Sequence, residues 1–166
     1  MRSAHRPSKP LSPPGNYPCN KTSCKTCPFL DSNLEFTGPS GRRFNIRAAF
    51  NCQTTDLVYI ITCSLCSKLY TGETYRTLNE RFTEHRNAVI TNRQTPVGIH
   101  FSTPPHNLTH VKIAAVWRNG IGDPTYRKFI ESQIIDRLGC PQPQGLTIRE
   151  WLSSFDTSGL PYMLRD

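Results

Sequence analysis

Five polar side chains between positions 59 and 131 are of the types that hydrolysis of a phosphodiester bond requires. Such hydrolysis needs an activated water, a cation beside the scissile phosphate and a donor that balances the charge of the transition state. Tyr59 and Tyr70 are suited to orienting or deprotonating the water, if a nearby metal or arginine lowers a phenol pKa. Arg81 can hold phosphate through its planar donors, and His85 can donate a hydrogen bond or shuttle a proton. Glu131 is suited to Mg²⁺, which favours one or two carboxylates together with water and substrate oxygens.

The two tyrosines fall on the arms of a predicted hairpin. The β-branched run 57–62 indicates a buried strand, and residues 69–71 indicate the returning strand after a turn that contains Cys63 and Cys66. Each arm therefore carries one tyrosine, although aromatic residues favour strands and either tyrosine alone would be an ordinary sheet residue.

A predicted helix after the hairpin carries Arg81 and His85. Thr77 and Glu80, three residues apart, form a capping box that starts this helix, which we expect to run to about Ile90. Arg81 and His85 are four residues apart and so share one helix face. Taken alone, this pair could also be part of a solvated helix surface.

Two further elements complete a predicted α+β layer fold. Alternating residues over 111–117 indicate a third strand, preceded by a long irregular connection with a helical turn near 97–101. The last helix is predicted to begin with Asp123 as N-cap and Pro124 as its first residue, and to end before Gly139. The order strand, strand, helix, strand, helix is typical of a small α+β fold.

Glu131 lies on this last helix, on the flank of its apolar stripe. At about 100° per residue it projects between Leu138 and Ile135. A carboxylate so close to a core is costly without a partner, and this position favours a metal ion. The alternative is a surface ion pair with Arg127, four residues earlier, worth roughly 0.3–0.5 kcal/mol.

The seven cysteines are odd in number and lack an accompanying secretory segment, so metal binding is favoured over a disulfide scaffold. The pairs Cys24-x-x-Cys27 and Cys63-x-x-Cys66 would together form a tetrahedral thiolate zinc site. Four thiolates leave no open position for water, so this Zn²⁺ would be structural. It would fasten an N-terminal knuckle to the turn of the hairpin.

The remaining cysteines leave alternatives open. Cys19 and Cys52 could replace one of the two pairs, so the candidate zinc ligands are four of six cysteines. Cys140 is expected to be a small buried hydrophobe, as most free cysteines are.

The charge of the chain favours a polyanionic partner, nucleic acid first. Lys and Arg number 20 against 12 Asp and Glu, and the formal charge of +8 is spread along the chain. A solvated basic surface is the alternative, which charge alone does not exclude. No apolar run approaches the roughly 18 residues that span a bilayer, and a signal-peptide core is lacking, so a soluble intracellular protein is expected.

Composition divides the 166 residues into four segments, which suit one compact domain with an attached module. Residues 1–18 are basic and proline-rich with almost no large apolar side chain, which indicates a disordered arm. Residues 19–55 are a cysteine-rich linker or zinc knuckle dominated by loops. Residues 56–148 contain the predicted α+β domain, and residues 149–166 are a C-terminal tail.

The order of these residues resembles the catalytic domain of the GIY-YIG nucleases. In that family two short motifs lie on the first two strands of a three-stranded antiparallel sheet, an arginine follows on the first helix, and a metal-binding glutamate lies on a later helix. The resemblance implies this fold and a Mg²⁺- or Mn²⁺-dependent endonuclease that cuts DNA. The site residues that it implies are Tyr59, Tyr70, Gly72, Arg81, His85 and Glu131.

Within this superfamily the chain looks closest to the endonuclease domain of Penelope-like retroelements. The segments Val-Tyr-Ile-Ile-Thr-Cys, Tyr-Thr-Gly-Glu-Thr and Glu-His-Arg carry this likeness, together with the linker containing Cys19, Cys24 and Cys27. It covers roughly residues 19–148. It implies DNA as partner and a reverse transcriptase in a longer parent protein, and the expected DNA-cutting function implies a nuclear location. Nothing in the chain resembles a reverse transcriptase, so we expect a detached part, a truncated copy or an independent gene.

Two positions depart from the family's pattern. Leu57 stands where the family name has glycine, as in many members of the retroelement branch. Thr147 stands where the family usually has asparagine, so activity would be weakened if that asparagine supports the site. The alternative function is therefore a catalytically inactive, zinc-stabilised DNA-binding module left from a retroelement. A structure-specific repair nuclease of the same superfamily is a third reading, disfavoured because the chain shows no other accessory domain.

Overall fold

The structure is a computed structural model that describes residues 12–148. The predicted basic arm therefore lies mostly outside the described residues, and the predicted tail 149–166 lies wholly outside them. The strands are β1 (Gly15–Tyr17), β2 (Glu35–Thr37), β3 (Arg43–Asn45), β4 (Ala49–Asn51), β5 (Leu57–Cys63), β6 (Leu69–Thr74) and β7 (Val111–Arg118). The α-helices are α1 (Leu78–Ile90), α2 (Pro96–Ser102) and α3 (Pro124–Leu138), and single 3₁₀ turns lie at Cys27–Phe29 and Leu108–His110.

The central sheet is three-stranded and antiparallel, in the order β6-β5-β7. Every residue of β5 except Thr62 is buried. Neighbouring residues of a strand point to opposite faces. Arg81 of α1 bonds to Tyr59, and Arg127 of α3 bonds to Glu73. Tyr59 pairs with Gly72, so the next residue, Glu73, points to the other face of the sheet. The two helices therefore lie on opposite faces. These two faces explain why a β-branched strand is buried on both sides.

The helix boundaries confirm the local signals in the sequence. Thr77 accepts from the backbone N–H of Glu80 while the Glu80 carboxylate accepts from the backbone N–H of Thr77, so the predicted capping box is present. The Asp123 side chain caps α3, and Gly139 ends it in the left-handed region at φ +71°. The predicted α+β fold with a three-stranded antiparallel sheet is therefore confirmed.

The N-terminal part contains short strands that the sequence did not indicate. Strands β1 and β4 pair in parallel and β2 and β3 form a hairpin, where loops were expected. Gly15–Tyr17 fall inside the segment predicted to be a disordered arm, and they form β1. Three-residue strands are too short to show a periodicity that could be recognised in the sequence.

These N-terminal segments cover the outer edge of the sheet. The Asn16 amide bonds to both the N–H and the C=O of Ala115, and the N–H of Asp31 bonds to the C=O of Ile113. Phe36, with Ile46 and Phe50, joins the same hydrophobic core as β5. An exposed strand edge would otherwise present unpaired backbone groups.

Within residues 12–148, no helix combines the length and the apolar character that crossing a bilayer requires.

Candidate active site

The two tyrosines meet across the β5–β6 pair because of their register. Tyr59 lies directly opposite Gly72, and Tyr70 lies two residues before Gly72 on the same face of the sheet. The ring centroids of Tyr59 and Tyr70 are 6.3 Å apart. Tyr59 is fully buried, whereas Tyr70 is only partly buried, so Tyr70 is the phenol that solvent can reach.

Gly72 permits this arrangement because it has no side chain. A Cβ at position 72 would collide with the Tyr59 Oη atom and lie 2.9 Å from Cε1 of Tyr70. The sheet backbone at Gly72 therefore approaches the Tyr59 phenol more closely than any other residue type would allow.

Helix α1 contributes Arg81 and His85 to the same phenol. The Arg81 Nε–H donates to Tyr59 Oη at 2.9 Å, and Tyr59 Oη lies 2.7 Å from His85 Nε2. The tautomer of the imidazole decides which of these two atoms donates in the Tyr59–His85 bond. Burial, followed by the charge of Arg81, lowers the pKa of His85 to about 3, so the imidazole is neutral at pH 7.

Both phenols are protonated at neutral pH. Burial raises the pKa of Tyr59 well above its ordinary value and also raises the pKa of Tyr70. The negative charge of Glu131 acts in the same direction on both phenols.

Glu131 is a partly buried carboxylate on α3 with no hydrogen-bond or ion-pair partner among residues 12–148. Burial first, and then the charge of Glu73, raise its pKa to about 7, while Arg81 opposes the shift. A carboxylate that is desolvated and lacks a protein partner is suited to hold a hard cation.

Arg127 does not pair with Glu131, contrary to the ion-pair alternative that the four-residue spacing suggested. Its buried guanidinium instead pairs with Asp56 before β5 and with Glu73 on β6. Asp56 and Glu73 both bind this one arginine. The spacing of residues along α3 could not predict these partners, because neither lies on α3. The interaction ties α3 to both motif strands.

The C-terminal segment holds the outer edge of β6. The hydroxyl of the buried Thr147 accepts from the backbone N–H of Thr71 at 3.1 Å, and the N–H of Leu146 donates to the C=O of Leu69. Cys140 is buried and its Sγ lies 3.4 Å from the Thr71 hydroxyl, outside any group of metal ligands within residues 12–148. Thr147 therefore contacts this strand at Thr71, between Tyr70 and Gly72.

A first group of metal-ligand atoms contains four cysteines from the N-terminal segment. The thiol sulfurs of Cys19, Cys24, Cys27 and Cys52 lie within 4.8 Å of one another. The Cys27 sulfur is 3.7 Å from that of Cys19 and 3.4 Å from that of Cys52. A tetrahedral site with Zn–S bonds of about 2.3 Å puts its sulfurs about 3.8 Å apart, so the donor set fits Zn²⁺. Burial opposes ionisation, but backbone hydrogen bonds from Thr26 and Cys27 lower the pKa of Cys24 to about 7.

A second group combines two cysteines with two histidines. The Cys63 sulfur lies 3.4 Å from Nδ1 of His106, and the Cys66 sulfur lies 3.5 Å from Nε2 of His100. Mixed sulfur and nitrogen ligands of Zn²⁺ are about 3.6 Å apart in a tetrahedral site, which these distances match. Burial, then His106 and Lys68, lower the pKa of His100 to about 4, which favours the neutral imidazole that binds metals.

The predicted joint site of Cys24, Cys27, Cys63 and Cys66 is therefore wrong, and the alternative with Cys19 and Cys52 describes the first group. Cys52 precedes β5 and its carbonyl accepts from the start of α1, whereas Cys63 ends β5. A seven-residue strand is about 20 Å long, so the two groups lie at opposite ends of it.

His100 and His106 were missed in the sequence. Their spacing after the cysteine pair follows the C-x₂-C…H-x₅-H pattern of zinc ligands, so the signal was present. Both histidines fall in the long connection between the first helix and the third strand, and the path of this connection is not specified by the sequence.

The first group also contacts the helix of the candidate site. The hydroxyl of the buried Thr26 donates to Oδ1 of Asn79 at 2.7 Å, and the N–H of Asn79 donates to the C=O of Cys52. Asn79 lies two residues before Arg81, so the cysteine group fixes the start of α1.

Residues 56–137 match the family model described as the GIY-YIG catalytic domain. This segment spans β5, β6, α1, α2, β7 and nearly all of α3, and so contains each of the six residues described above, Tyr59 to Glu131. No curated protein and no solved structure matches the chain.

Proposed function

From the match of residues 56–137 to the model of the GIY-YIG catalytic domain, we propose that this protein is a metal-dependent endonuclease that nicks DNA. The observation that carries the proposal is the convergence of a phenol, an arginine and a neutral imidazole beside a partnerless carboxylate. Tyr59 accepts from Arg81 and shares a hydrogen bond with His85, and Glu131 acts electrostatically on both tyrosines.

Tyr70 and Tyr59 have different roles in this proposal. Tyr70 is partly exposed and protonated, so it orients the attacking water by hydrogen bonding. Tyr59 is buried and links Arg81 to His85, so it holds the guanidinium and the imidazole in place. Arg81 binds the scissile phosphate through the edge of its guanidinium that faces away from Tyr59.

Glu131 is the proposed ligand of Mg²⁺ or Mn²⁺. The raised pKa and the lack of a protein partner within residues 12–148 support this assignment. When bound there, the cation supplies positive charge that makes a bound water more acidic and balances charge in the transition state.

We further propose that two Zn²⁺ ions are structural. The Cys19, Cys24, Cys27 and Cys52 group would support the start of α1, and the Cys63, Cys66, His100 and His106 group would close the β5–β6 hairpin. Each group supplies four ligands, which leaves no position for a catalytic water.

The zinc proposal predicts two bound ions for the full-length protein in native mass spectrometry. Cys24→Ala and His106→Ala should each lose one ion, because each variant removes a ligand from a different group. Cys140→Ala is the control and should keep both. An unchanged zinc content in either ligand variant would contradict the assignment.

The wider setting is also proposed. The +8 charge and the basic residues 1–18 would add sequence-independent affinity for DNA, and residues 19–55, 56–148 and 149–166 would form linker, nuclease domain and tail. From the motif segments we propose an origin in a Penelope-like retroelement, with a reverse transcriptase in the parent protein, and from the DNA-cutting function we propose a nuclear location.

The test of the enzyme is nicking of supercoiled plasmid by the purified protein with Mg²⁺. We expect open-circular product, and Glu131→Ala and Tyr70→Phe should each lower the rate at least about 100-fold. Asp136→Asn, which removes an exposed carboxylate from the same helix, is the matched control and should nick normally. DNA binding without nicking, across several metals and DNA forms, would refute the enzyme and favour the inactive DNA-binding module.

A further inference from the structure

We propose that Arg76 and Arg81 form a binding site for a phosphate of the DNA backbone, and that Glu84 occupies this site when DNA is absent. The proposal rests on the DNA-binding part of the proposed function. It assigns to the site a second arginine and a displaceable internal anion, neither of which belongs to the six residues of the candidate active site.

The two arginines converge on one carboxylate. Arg76 Nη2 donates to Glu84 Oε1, and Arg81 Nη1 donates to Glu84 Oε2 at 2.7 Å. Each oxygen of the carboxylate is therefore bound by a different arginine. A phosphodiester likewise presents one negative charge and two free oxygens, so it suits the same pair of guanidinium groups.

All three side chains can be reached from solvent. Exposure is 35% for Arg76, 30% for Arg81 and 42% for Glu84. Exposed ion pairs contribute little stability, so an incoming phosphate can replace the carboxylate. Burial acts to raise the pKa of Glu84, but hydrogen bonds from Arg76 and Arg81 hold this pKa below its usual range. The Glu84 carboxylate that occupies the site is therefore an anion at neutral pH.

Arg76 is prearranged for this role by contacts other than Glu84. Its backbone N–H donates to Thr74 Oγ1 at the end of β6, and its guanidinium lies 5.9 Å from the ring centroid of Tyr75. The Tyr75 ring is 70% exposed and orients the arginine through a cation–π contact. Arg76 would therefore remain in position after Glu84 is displaced.

Arg81 connects this subsite to the candidate active site. Its Nε–H donates to Tyr59 while its Nη1 is bound by Glu84. Replacing Glu84 by a phosphate keeps the charge balance around Arg81 and leaves the bond to Tyr59 in place. DNA binding must therefore compete with an internal anion, and removing that anion should tighten binding.

The test is equilibrium binding of the full-length protein to a fluorescent duplex of about 25 base pairs, measured by anisotropy without Mg²⁺. Glu84→Gln should tighten binding about fivefold more than Glu80→Gln does. Glu80 is the matched control, because it lies on the same helix, does not contact either arginine, and glutamine also serves in its capping box.

A double-mutant cycle makes the test specific. In the Arg76→Ala background, the gain from Glu84→Gln should be clearly smaller than in the wild-type background, because Glu84 then blocks only Arg81. Arg76→Ala alone should reduce the salt slope by about one. Equal effects of Glu84→Gln and Glu80→Gln, or a full gain that persists without Arg76, would overturn the subsite.

The plasmid assay separates this inference from the proposed function. Nicking by the wild-type protein with equal effects of the two glutamine variants would reject the subsite and keep the enzyme. If the double-mutant cycle gives the predicted result but the wild-type protein does not nick the plasmid, the subsite is kept and the enzyme is rejected. A wild-type protein that fails to bind DNA would reject both.

Discussion

At Gly72 the backbone of β6 lies against the side chains of Tyr59 and Tyr70, two of the candidate catalytic residues. The Tyr59 Oη atom is held by Arg81 and His85 in a buried position, so it has little freedom to move away from a side chain at position 72. The requirement for glycine therefore comes from space and not from φ, since Gly72 is not among the glycines with positive φ.

Gly72→Ala should lower the nicking rate at least about 100-fold, because the added methyl group displaces the Tyr59 phenol and small misplacements have effects of this size. The rate is measured on supercoiled plasmid. Gly120→Ala is the control, since a Cβ there meets nothing within 4 Å, and it should nick at the wild-type rate. A Gly72→Ala protein with normal activity would show that the Tyr59 contacts are not needed.

Protonation of His85 should make the stability of the folded protein depend on pH in the acid range. Its pKa is about 3 in the folded protein against an ordinary value of 6.5. The unfolded state therefore binds more protons between these values, and the stability contributed by neutral His85 is lost as pH falls from about 6.5 towards 3.

His85→Gln should remove this component from the pH dependence of urea unfolding. Below pH 6.5 the wild-type free energy of unfolding should fall more steeply than that of the variant, by at most about 1.4 kcal/mol per pH unit. Other titrating groups, including both cysteine groups, are common to the two proteins, so the difference in slope isolates His85. Identical slopes would mean that His85 is already protonated or exposed in the folded state.

At the scale of elements, β6 is held from both sides. Its inner edge pairs with β5, while Leu146 and Thr147 bond to its outer edge at Leu69 and Thr71. The strand that carries Tyr70 and Gly72 thus depends on a segment that is more than 70 residues away in sequence. Threonine at position 147 supplies one acceptor to this strand.

Thr147→Val should destabilise the protein by about 1–3 kcal/mol, because the buried N–H of Thr71 loses its acceptor. Urea unfolding of zinc-loaded protein measures the change. Thr147→Ser retains the hydroxyl and should stay close to wild type. If valine and serine behave alike, the hydrogen bond to β6 contributes nothing measurable.

At the scale of the whole molecule, one buried arginine joins parts of the chain that are far apart. Arg127 on α3 is only 3% exposed and binds Asp56 at the entry to β5 and Glu73 on β6. It lies one helical turn before Glu131, so the same contact sets where the α3 carboxylate stands relative to the tyrosines.

Arg127→Met should reduce stability by about 3–5 kcal/mol, because two carboxylates are left without their common partner. Combining it with Asp56→Asn and Glu73→Gln should recover much of the loss, since the unpaired charges are then removed. Arg118→Met at an exposed position is the control and should change stability by less than about 0.5 kcal/mol in the same urea titration. If Arg127→Met lowers the free energy of unfolding and the triple variant does not recover it, the loss would come from the packing of the Arg127 side chain and not from its ion pairs.

The sequence by itself determined the order and type of the main elements. The hairpin from Leu57, the capped start of α1 at Thr77 and the ends of α3 at Asp123 and Gly139 follow from signals within a few residues, and local chemistry is sufficient for such features. Only the tertiary structure decided which residues meet over long separations in the chain. It pairs Arg127 with Asp56 and Glu73, divides the cysteines between the two ends of β5, brings His100 and His106 to one of these groups, and puts Glu84 between two arginines. Such partners depend on distances across the folded core, which spacing along the chain does not specify.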